Sequence, residues 1–142
     1  MAIKLGMEAK LLYLVGGQGG AGTWTAMDNV RDVTLSLEAG EADVTTRANA
    51  GWRATVATLK EASVEWEMVW DTADAGFTAI KNAFFNNDLI GLQILDEADG
   101  QGLQADFSIT NFSRSEALEE AITVSVTAKV TYSDTAPSWI GG

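Results

Sequence analysis

The sequence predicts a mainly β protein with one α-helix, and two hydrophobic patterns carry this prediction. Apolar and polar residues alternate along several segments, which is typical of strands with one face turned inward. Only one segment repeats its apolar residues at the 3.6-residue period of a helix. Because strands and helices do not alternate along the chain, we expect antiparallel sheets rather than a doubly wound parallel fold.

The clearest strand is predicted near the end of the chain, where Ile122, Val124 and Val126 alternate with Thr123 and Ser125. The same alternation continues to residue 132. Similar patterns or short apolar runs predict further strands at residues 7–15, 33–37, 62–70, 89–95 and 105–110.

The single helix is predicted near residues 73–86. Phe77, Ile80 and Phe84 are spaced i, i+3 and i+7, which places them on one stripe of a helix. Residues 71–72 (DT) precede this stripe and are candidates for the N-cap, because short oxygen-bearing side chains accept hydrogen bonds from the first free N–H groups.

Length and composition limit the fold and the chemistry. The 142 residues fit one domain, which we assign to residues 1–142, and they are 46% hydrophobic. The chain has no cysteine and no histidine, which excludes disulfides and the Ser-His-Asp and Cys-His mechanisms. The formal net charge of −11 argues against a phosphate-binding surface. We therefore expect no catalytic residue, cofactor or metal.

No segment has the features of a secretion signal or a membrane anchor. The longest apolar run near the start is residues 11–15, and Glu8 and Lys10 precede it. No run approaches the roughly 20 apolar residues of a membrane span. We expect synthesis in the cytoplasm.

Residues 16–22 (GGQGGAG) contain a literal GxGxxG. A dinucleotide site would also require a helix that opens at the last glycine, whereas strand-like sequence follows here. We therefore interpret this segment as a flexible connection.

Two groups of carboxylates are candidates for chemistry. Glu65 and Glu67 share a strand face about 6–7 Å apart by the strand rise, a separation between the two glycosidase geometries. Asp96, Glu97 and Asp99 suggest a calcium-binding loop, although the spacing departs from the EF-hand pattern. For both groups, ordinary solvated carboxylates on the protein surface are a better explanation than catalysis or calcium binding.

Trp52 and Trp139 differ from the other tryptophans. Each lies near glycines and outside any alternating face. Aromatic residues on flexible arms are typical of contacts with a neighbouring subunit. A local turn anchor is the alternative for each of them.

The stretch from residue 35 to residue 87 resembles the tail tube (major tail) proteins of tailed phages and prophages. The matching elements are residues 32–37 (DVTLSL), 41–47 (EADVTTR) and 51–53 (GWR), followed by a strand and a helix that carries residues 76–77 (GF). Similarity extends to residues 136–139 (APSW), whereas the glycine-rich residues 16–22 depart from the pattern.

This resemblance implies a structural subunit of a virion tail. It implies a β-sandwich with one flanking helix, a long inter-strand loop and extended terminal arms. Such subunits form hexameric rings that stack into a tube, and one sheet of each subunit lines a channel through which DNA passes without specific binding. The implied partners are further copies of the chain, the tape-measure protein and the tail-tip or terminator proteins.

The long loop maps to residues 37–56. We expect it to reach the adjacent ring, because hairpin loops usually need only two to five residues. Its candidate interface residues are charged residues of both signs and one aromatic anchor: Glu41, Asp43, Arg47, Arg53 and Trp52. Trp139 is the candidate contact of the C-terminal arm.

Three other functions remain open from the sequence. A tube protein of a related injection machine, such as a phage-derived bacteriocin or a secretion tube, would share the same fold. A monomeric carbohydrate-binding β-sandwich would use exposed tryptophans and calcium at residues 96–99. A hydrolase with acidic residues alone is the least favoured, because no acid/base constellation emerges.

Overall fold

A computed structural model of the chain describes residues 3–20 and 22–141. Ala21, within the glycine-rich segment, and Gly142, at the end of the predicted C-terminal arm, lie outside the described residues. Within that part of the chain there are eight β-strands and one α-helix, which confirms the mainly β fold class. The elements are β1 Lys10–Val15, β2 Thr25–Ala26, β3 Val30–Asp43, β4 Thr55–Val69, α1 Ala75–Asn86, β5 Ile90–Leu95, β6 Gly102–Ser115, β7 Thr123–Val130 and β8 Ser138–Ile140.

All eight strands belong to one antiparallel sheet. The strands follow the order β2-β1-β5-β6-β7-β4-β3, and β8 pairs with the first residues of β6. The two edges differ in length, since β2 contributes two residues at one edge and β3 contributes fourteen at the other. Neighbouring strands are antiparallel whether a short hairpin or a longer connection joins them.

The sheet curls around a single hydrophobic core. Leu11 on β1 and Val64 on β4 belong to the same buried cluster, although β5, β6 and β7 lie between those strands in the sheet. The largest fully buried side chains include Phe107, Met68 and Leu92. Alternate residues of each strand supply this core, as the period-2 pattern predicts.

Helix α1 closes one side of the core. Phe77 and Ile80 are buried, and the Phe84 ring lies 6.0 Å from the ring of Phe112 on β6. The N-cap is Asp74, whose Oδ2 accepts a hydrogen bond of 2.8 Å from the N–H of Phe77. The proposed cap at residues 71–72 is therefore wrong by two residues, because Asp71 instead caps the preceding turn at Ala73.

Strands β3 and β4 form one long hairpin, and this corrects the expected loop at residues 37–56. The two strands stay paired as far as Asp43 and Thr55, so that the connecting loop contains only residues 44–54. Gly40 does not end the strand because a register shift absorbs it, and a Cβ there would lie 2.6 Å from Oγ1 of Thr58.

The glycine-rich segment is tied to the sheet rather than free. Gly17 has a φ of +87°, and a Cβ there would lie 2.3 Å from Cδ1 of Leu89. The N–H of Gln18 donates a hydrogen bond of 2.6 Å to Oδ1 of Asp106, the one charged side chain that is buried among the described residues. The two-residue strand β2 follows this segment, so no helix opens at its glycines as a dinucleotide site would require.

Candidate assembly surfaces

The outer half of the β3–β4 hairpin extends away from the core. We call residues 38–61 the outer hairpin; β7, the other neighbour of β4, pairs with it only as far as Ser63. None of these 24 residues is buried. Four large apolar side chains are exposed on it: Val44, Trp52, Val56 and Leu59, with Trp52 at 79% and Leu59 at 84%.

Residues 44–54, the hairpin tip, form a loop with its own hydrogen bonds. The N–H of Val44 donates to the carbonyl of Ala54 at 3.0 Å, and the N–H of Ala54 donates to Oγ1 of Thr45 at 2.8 Å. A 3₁₀ turn spans Arg47–Asn49. The left-handed residues Ala50 and Gly51 then reverse the chain. The tip therefore has a defined shape while its side chains face solvent.

Asp43 closes the strand at the base of the tip. Its Oδ1 accepts a hydrogen bond of 2.8 Å from the N–H of Thr45. The hydrogen bonds from the side chain and then the backbone of Thr45 lower the pKa of the Asp43 carboxyl below its usual value. The carboxylate is therefore bound to its own turn, which makes Asp43 a turn-forming residue in the isolated chain. Glu41 lies two residues earlier on β3, opposite Ala57.

The hairpin tip is positively charged on a strongly acidic chain. It contains Arg47 and Arg53 and no acidic residue. The ion pairs of the described residues involve Lys4, Arg31 and Arg114, so neither arginine of the tip has a carboxylate partner there. Trp52 lies between these two arginines in the loop, with its backbone N–H bound to the carbonyl of Asn49.

Trp139 lies on β8, which is docked on the chain's own sheet. It pairs with Leu103 on β6, and its indole Nε1 donates to Oε1 of Gln101 at 3.1 Å. The side chain is 57% exposed. It borders a groove of about 440 Å³ whose apolar walls are Leu37, Ala62, Leu103, Val130 and Pro137. The end of the C-terminal arm is thus an added strand in the isolated chain.

The face of the sheet opposite the core is rich in hydroxyl groups. Partner residues of β3, β4, β7 and β6 line up across it in rows, for example Thr34, Glu65, Thr127 and Asn111. A neighbouring row carries Ser36, Ser63, Lys129 and Ser108, and a third carries Arg31, Glu67, Ser125 and Ser113. Alternation predicts the polar sides of β3, β4 and β7. In β6 a register shift after Ile109 brings Asn111 and Ser113 into these rows, and strand register is not a local property of the sequence.

Three of the carboxylate candidates make local contacts within the chain. Glu67 pairs with Arg31 at 3.5 Å on the exposed sheet face. Asp96 accepts from the N–H of Gln101, and Glu97 pairs with Lys4 at 2.6 Å. Across residues 3–20 and 22–141, no three carboxylates come together as a metal-ion site would require.

Residues 8–132 match the family of phage tail tube proteins. The chain belongs to this family. The match covers most of the sequence, including the hairpin and both of its strands. The chain is thus a structural tail tube subunit, in agreement with the resemblance of residues 35–87.

Solved structures share the fold of this tail tube protein over nearly its whole length. A chain from the tail of an empty gene transfer agent particle, refined with C6 symmetry, matches with a TM-score of 0.79 and 20% identity and covers 98% of this chain and 100% of that chain. The SPP1 tail tube matches with a TM-score of 0.76 and 17% identity, over 99% and 80% of the two chains. A chain of the anti-feeding prophage baseplate matches with a TM-score of 0.64 and 7% identity, over 99% and 97%.

No curated protein sequence is significantly similar to this tail tube protein. None of its helices in the described residues is long and apolar enough to cross a bilayer.

Proposed function

We propose that this tail tube protein forms rings of six identical subunits that stack into the hollow tube of a virion tail, with the outer hairpin of each subunit reaching the next ring. The observation that carries this proposal is the outer hairpin itself, in which none of the 24 residues is buried. A two-stranded hairpin without further packing is marginally stable in water. Contact with another copy would cover its apolar side chains.

The exposed apolar residues mark the hairpin as an interface. Trp52 and Leu59 are each more than three-quarters exposed, and isolated chains seldom leave several large apolar side chains together in water. We assign the contact between rings to residues Glu41, Asp43, Arg47, Trp52 and Arg53. Trp52 is its aromatic anchor, and the arginines set the register. Trp139 contributes a separate contact, between the C-terminal arm and a neighbour.

The fold that this chain shares with a gene transfer agent tail protein supports six subunits per ring. The gene transfer agent tail whose chain matches over 98% of this one has C6 symmetry. The long edge strand β3 and the short edge strand β2 give each subunit two unlike sheet edges. Pairing of such edges around a closed ring would cover part of the long β3 edge of each subunit.

We assign the hydroxyl-rich face of the sheet to the channel. Serine and threonine hydroxyls dominate its rows, and large apolar side chains are absent from them. Six subunits of net charge −11 give a ring of −66, which repels a DNA duplex and disfavours its adhesion to the wall. DNA would therefore pass without specific binding.

The remaining parts of the proposal concern the cellular context. Residues 1–142 act as one structural domain without catalytic activity or cofactor. The subunit is synthesised in the cytoplasm of a bacterial host and assembles around the tape-measure protein, with tail-tip and terminator proteins at the tube ends. The likeness to the anti-feeding prophage chain keeps a tube protein of a related injection machine as the second candidate.

The test is a truncation designed on the strand register. Residues 38–61 are replaced by Asn-Gly, which joins Leu37 to its partner Ala62 through a two-residue turn. We expect a folded subunit, by circular dichroism and thermal melting, that no longer forms tubes in electron micrographs. Tubes from the truncated subunit would contradict the role of the hairpin. A purified intact subunit that stays monomeric at high concentration, even when seeded with tails, would contradict the stacking function itself.

A further inference from the structure

The two ends of strand β4 carry opposite charge. Thr55 at one end joins the positively charged hairpin tip. Val69 at the other end pairs with Thr123, next to the connection between β6 and β7. We call residues 116–121 (EALEEA) of that connection the acidic loop. With about 3.3 Å of rise per residue, the fifteen residues of β4 place the two features roughly 46 Å apart.

The acidic loop contains three glutamates, all exposed, and no cation. One of them is already paired, since Oε2 of Glu116 lies 3.7 Å from Nη2 of Arg114. The guanidinium of Arg114 also lies 5.0 Å from the centre of the Trp70 ring, which holds this pair on the sheet. Glu119 and Glu120 have no such partner among the described residues.

An exposed apolar side chain stands among these glutamates. Leu118 is 100% exposed, the highest exposure of any large hydrophobic residue in the described part of the chain. The hairpin tip repeats this arrangement with the opposite sign, because Trp52 stands next to Arg53 and five residues after Arg47. Two unpaired cations around an aromatic residue thus match two unpaired carboxylates around an aliphatic one.

The hairpin tip and the acidic loop of one subunit cannot contact each other. The tip and the acidic loop lie at opposite ends of the same strand, so the tip of one copy meets the acidic loop only of another copy. A contact between two different patches of identical chains is heterologous, and repeated without closure it builds a linear stack. Such a stack is the geometry that a tube requires along its axis.

We propose that the hairpin tip of each subunit docks on the acidic loop of a subunit in the next ring. Arg47 and Arg53 pair with Glu119 and Glu120, and Trp52 covers Leu118. This inference rests on the proposed stacking function and adds to it the surface that receives the hairpin. The ion pairs determine which loop the hairpin tip binds and how the two surfaces align. The apolar contact contributes most of the affinity.

Charge reversal at both surfaces tests this contact. The first variant is Arg47→Glu with Arg53→Glu, and the second is Glu119→Lys with Glu120→Lys. We expect each to raise the protein concentration needed for tube growth by at least about tenfold, because like charges then face each other. All four residues are exposed, so we expect each variant to fold, and circular dichroism with thermal melting checks this.

The decisive variant combines all four reversals in one chain. It keeps the net charge of −11, since the two pairs of reversals cancel, and it restores the complementary contact with its sign inverted. We expect tube growth to return to within about threefold of the unchanged protein. The matched control combines Arg47→Glu and Arg53→Glu with Glu8→Lys and Asp134→Lys, exposed acids outside the acidic loop, and has the same net charge.

Recovery in the four-reversal variant without recovery in the control supports the contact. Equal recovery in both variants would show that only net charge matters, and would overturn the proposed contact. Failure of both variants to recover would also overturn it. If the hairpin truncation abolishes tubes while the reversals fail to compensate each other, the stacking function stands and the acidic loop is not its receiving surface.

Discussion

The backbone N–H of Gln18 donates a hydrogen bond of 2.6 Å to Oδ1 of Asp106, and so joins two residues that lie 88 positions apart. The other carboxylate oxygen, Oδ2, accepts from the hydroxyl of Ser133. Asp106 is 3% exposed, so these groups replace the water that a carboxylate would otherwise bind. One side chain thereby fixes both the glycine-rich segment and the start of the C-terminal arm on β6.

Asp106→Ala should lower the free energy of unfolding by about 1–3 kcal/mol, because it leaves the N–H of Gln18 without an acceptor. Urea denaturation of the unassembled subunit measures this change. Asp88→Ala is the matched control, since Asp88 is exposed. An equal loss in the two variants would show that the buried carboxylate contributes no more than a surface one.

Gly17→Ala should destabilise the subunit by more than about 1 kcal/mol, because its left-handed backbone disfavours a side chain and a Cβ would clash with Leu89. Gly19→Ala is the control in the same segment, where a Cβ meets nothing within 4 Å. Its unfolding free energy should stay within about 0.5 kcal/mol of the unchanged protein. Similar denaturation midpoints for the two variants would contradict the close packing of Gly17.

Thr45→Val should raise the pKa of Asp43 towards its usual value, because it removes the hydroxyl that chiefly lowers it. A lowered pKa stabilises the turn at pH values above the unfolded pKa, and this contribution is lost as the pH falls through the folded value. Carboxyl chemical shifts of the dilute, unassembled subunit measure the midpoint. Thr46→Val is the control, since its hydroxyl accepts from the N–H of Ala48 instead. An unchanged midpoint in Thr45→Val would contradict this assignment.

Trp52→Ala should weaken tube growth without unfolding the subunit. The side chain is 79% exposed, so its loss removes almost no packing in the isolated chain. As an aromatic anchor of an interface it would contribute about 2 kcal/mol or more, which corresponds to at least about thirtyfold in the concentration needed for assembly. Thr58→Ala, on the exposed stem of the same hairpin, should change this concentration little. Sedimentation of both variants checks the difference.

Local patterns predicted those elements whose packing is local. The alternation through Val124 and Val126 predicted β7, and the stripe through Phe77 and Ile80 predicted α1 to within two residues at its start. Period alone was sufficient in these cases because each element places its apolar residues in the core. The loop predicted at residues 37–56 was wrong because a register shift lets β3 continue past Gly40.

The features that sequence reasoning missed depend on contacts between distant residues. The alternation at residues 105–110 predicts Asp106 only as a polar strand position, because its partners Gln18 and Ser133 come from two other segments. The sequence does not mark the acidic loop as a contact surface, because only the pairing of β4 with β7 places it at the other end of β4 from the hairpin tip. The position of Trp139 likewise depends on the pairing of β8 with β6. This pairing involves only three residues of each strand.

The unlike ends of β4 give direction to any polymer in which subunits add in the same orientation. One end of such a polymer presents arginine-bearing tips, and the other presents glutamate-bearing loops. A protein that closes the first end needs a negatively charged surface, and a protein that closes the second needs a positively charged one. A single surface of one charge could not close both ends, so the polarity of the subunit makes the two ends chemically different to any protein that binds them.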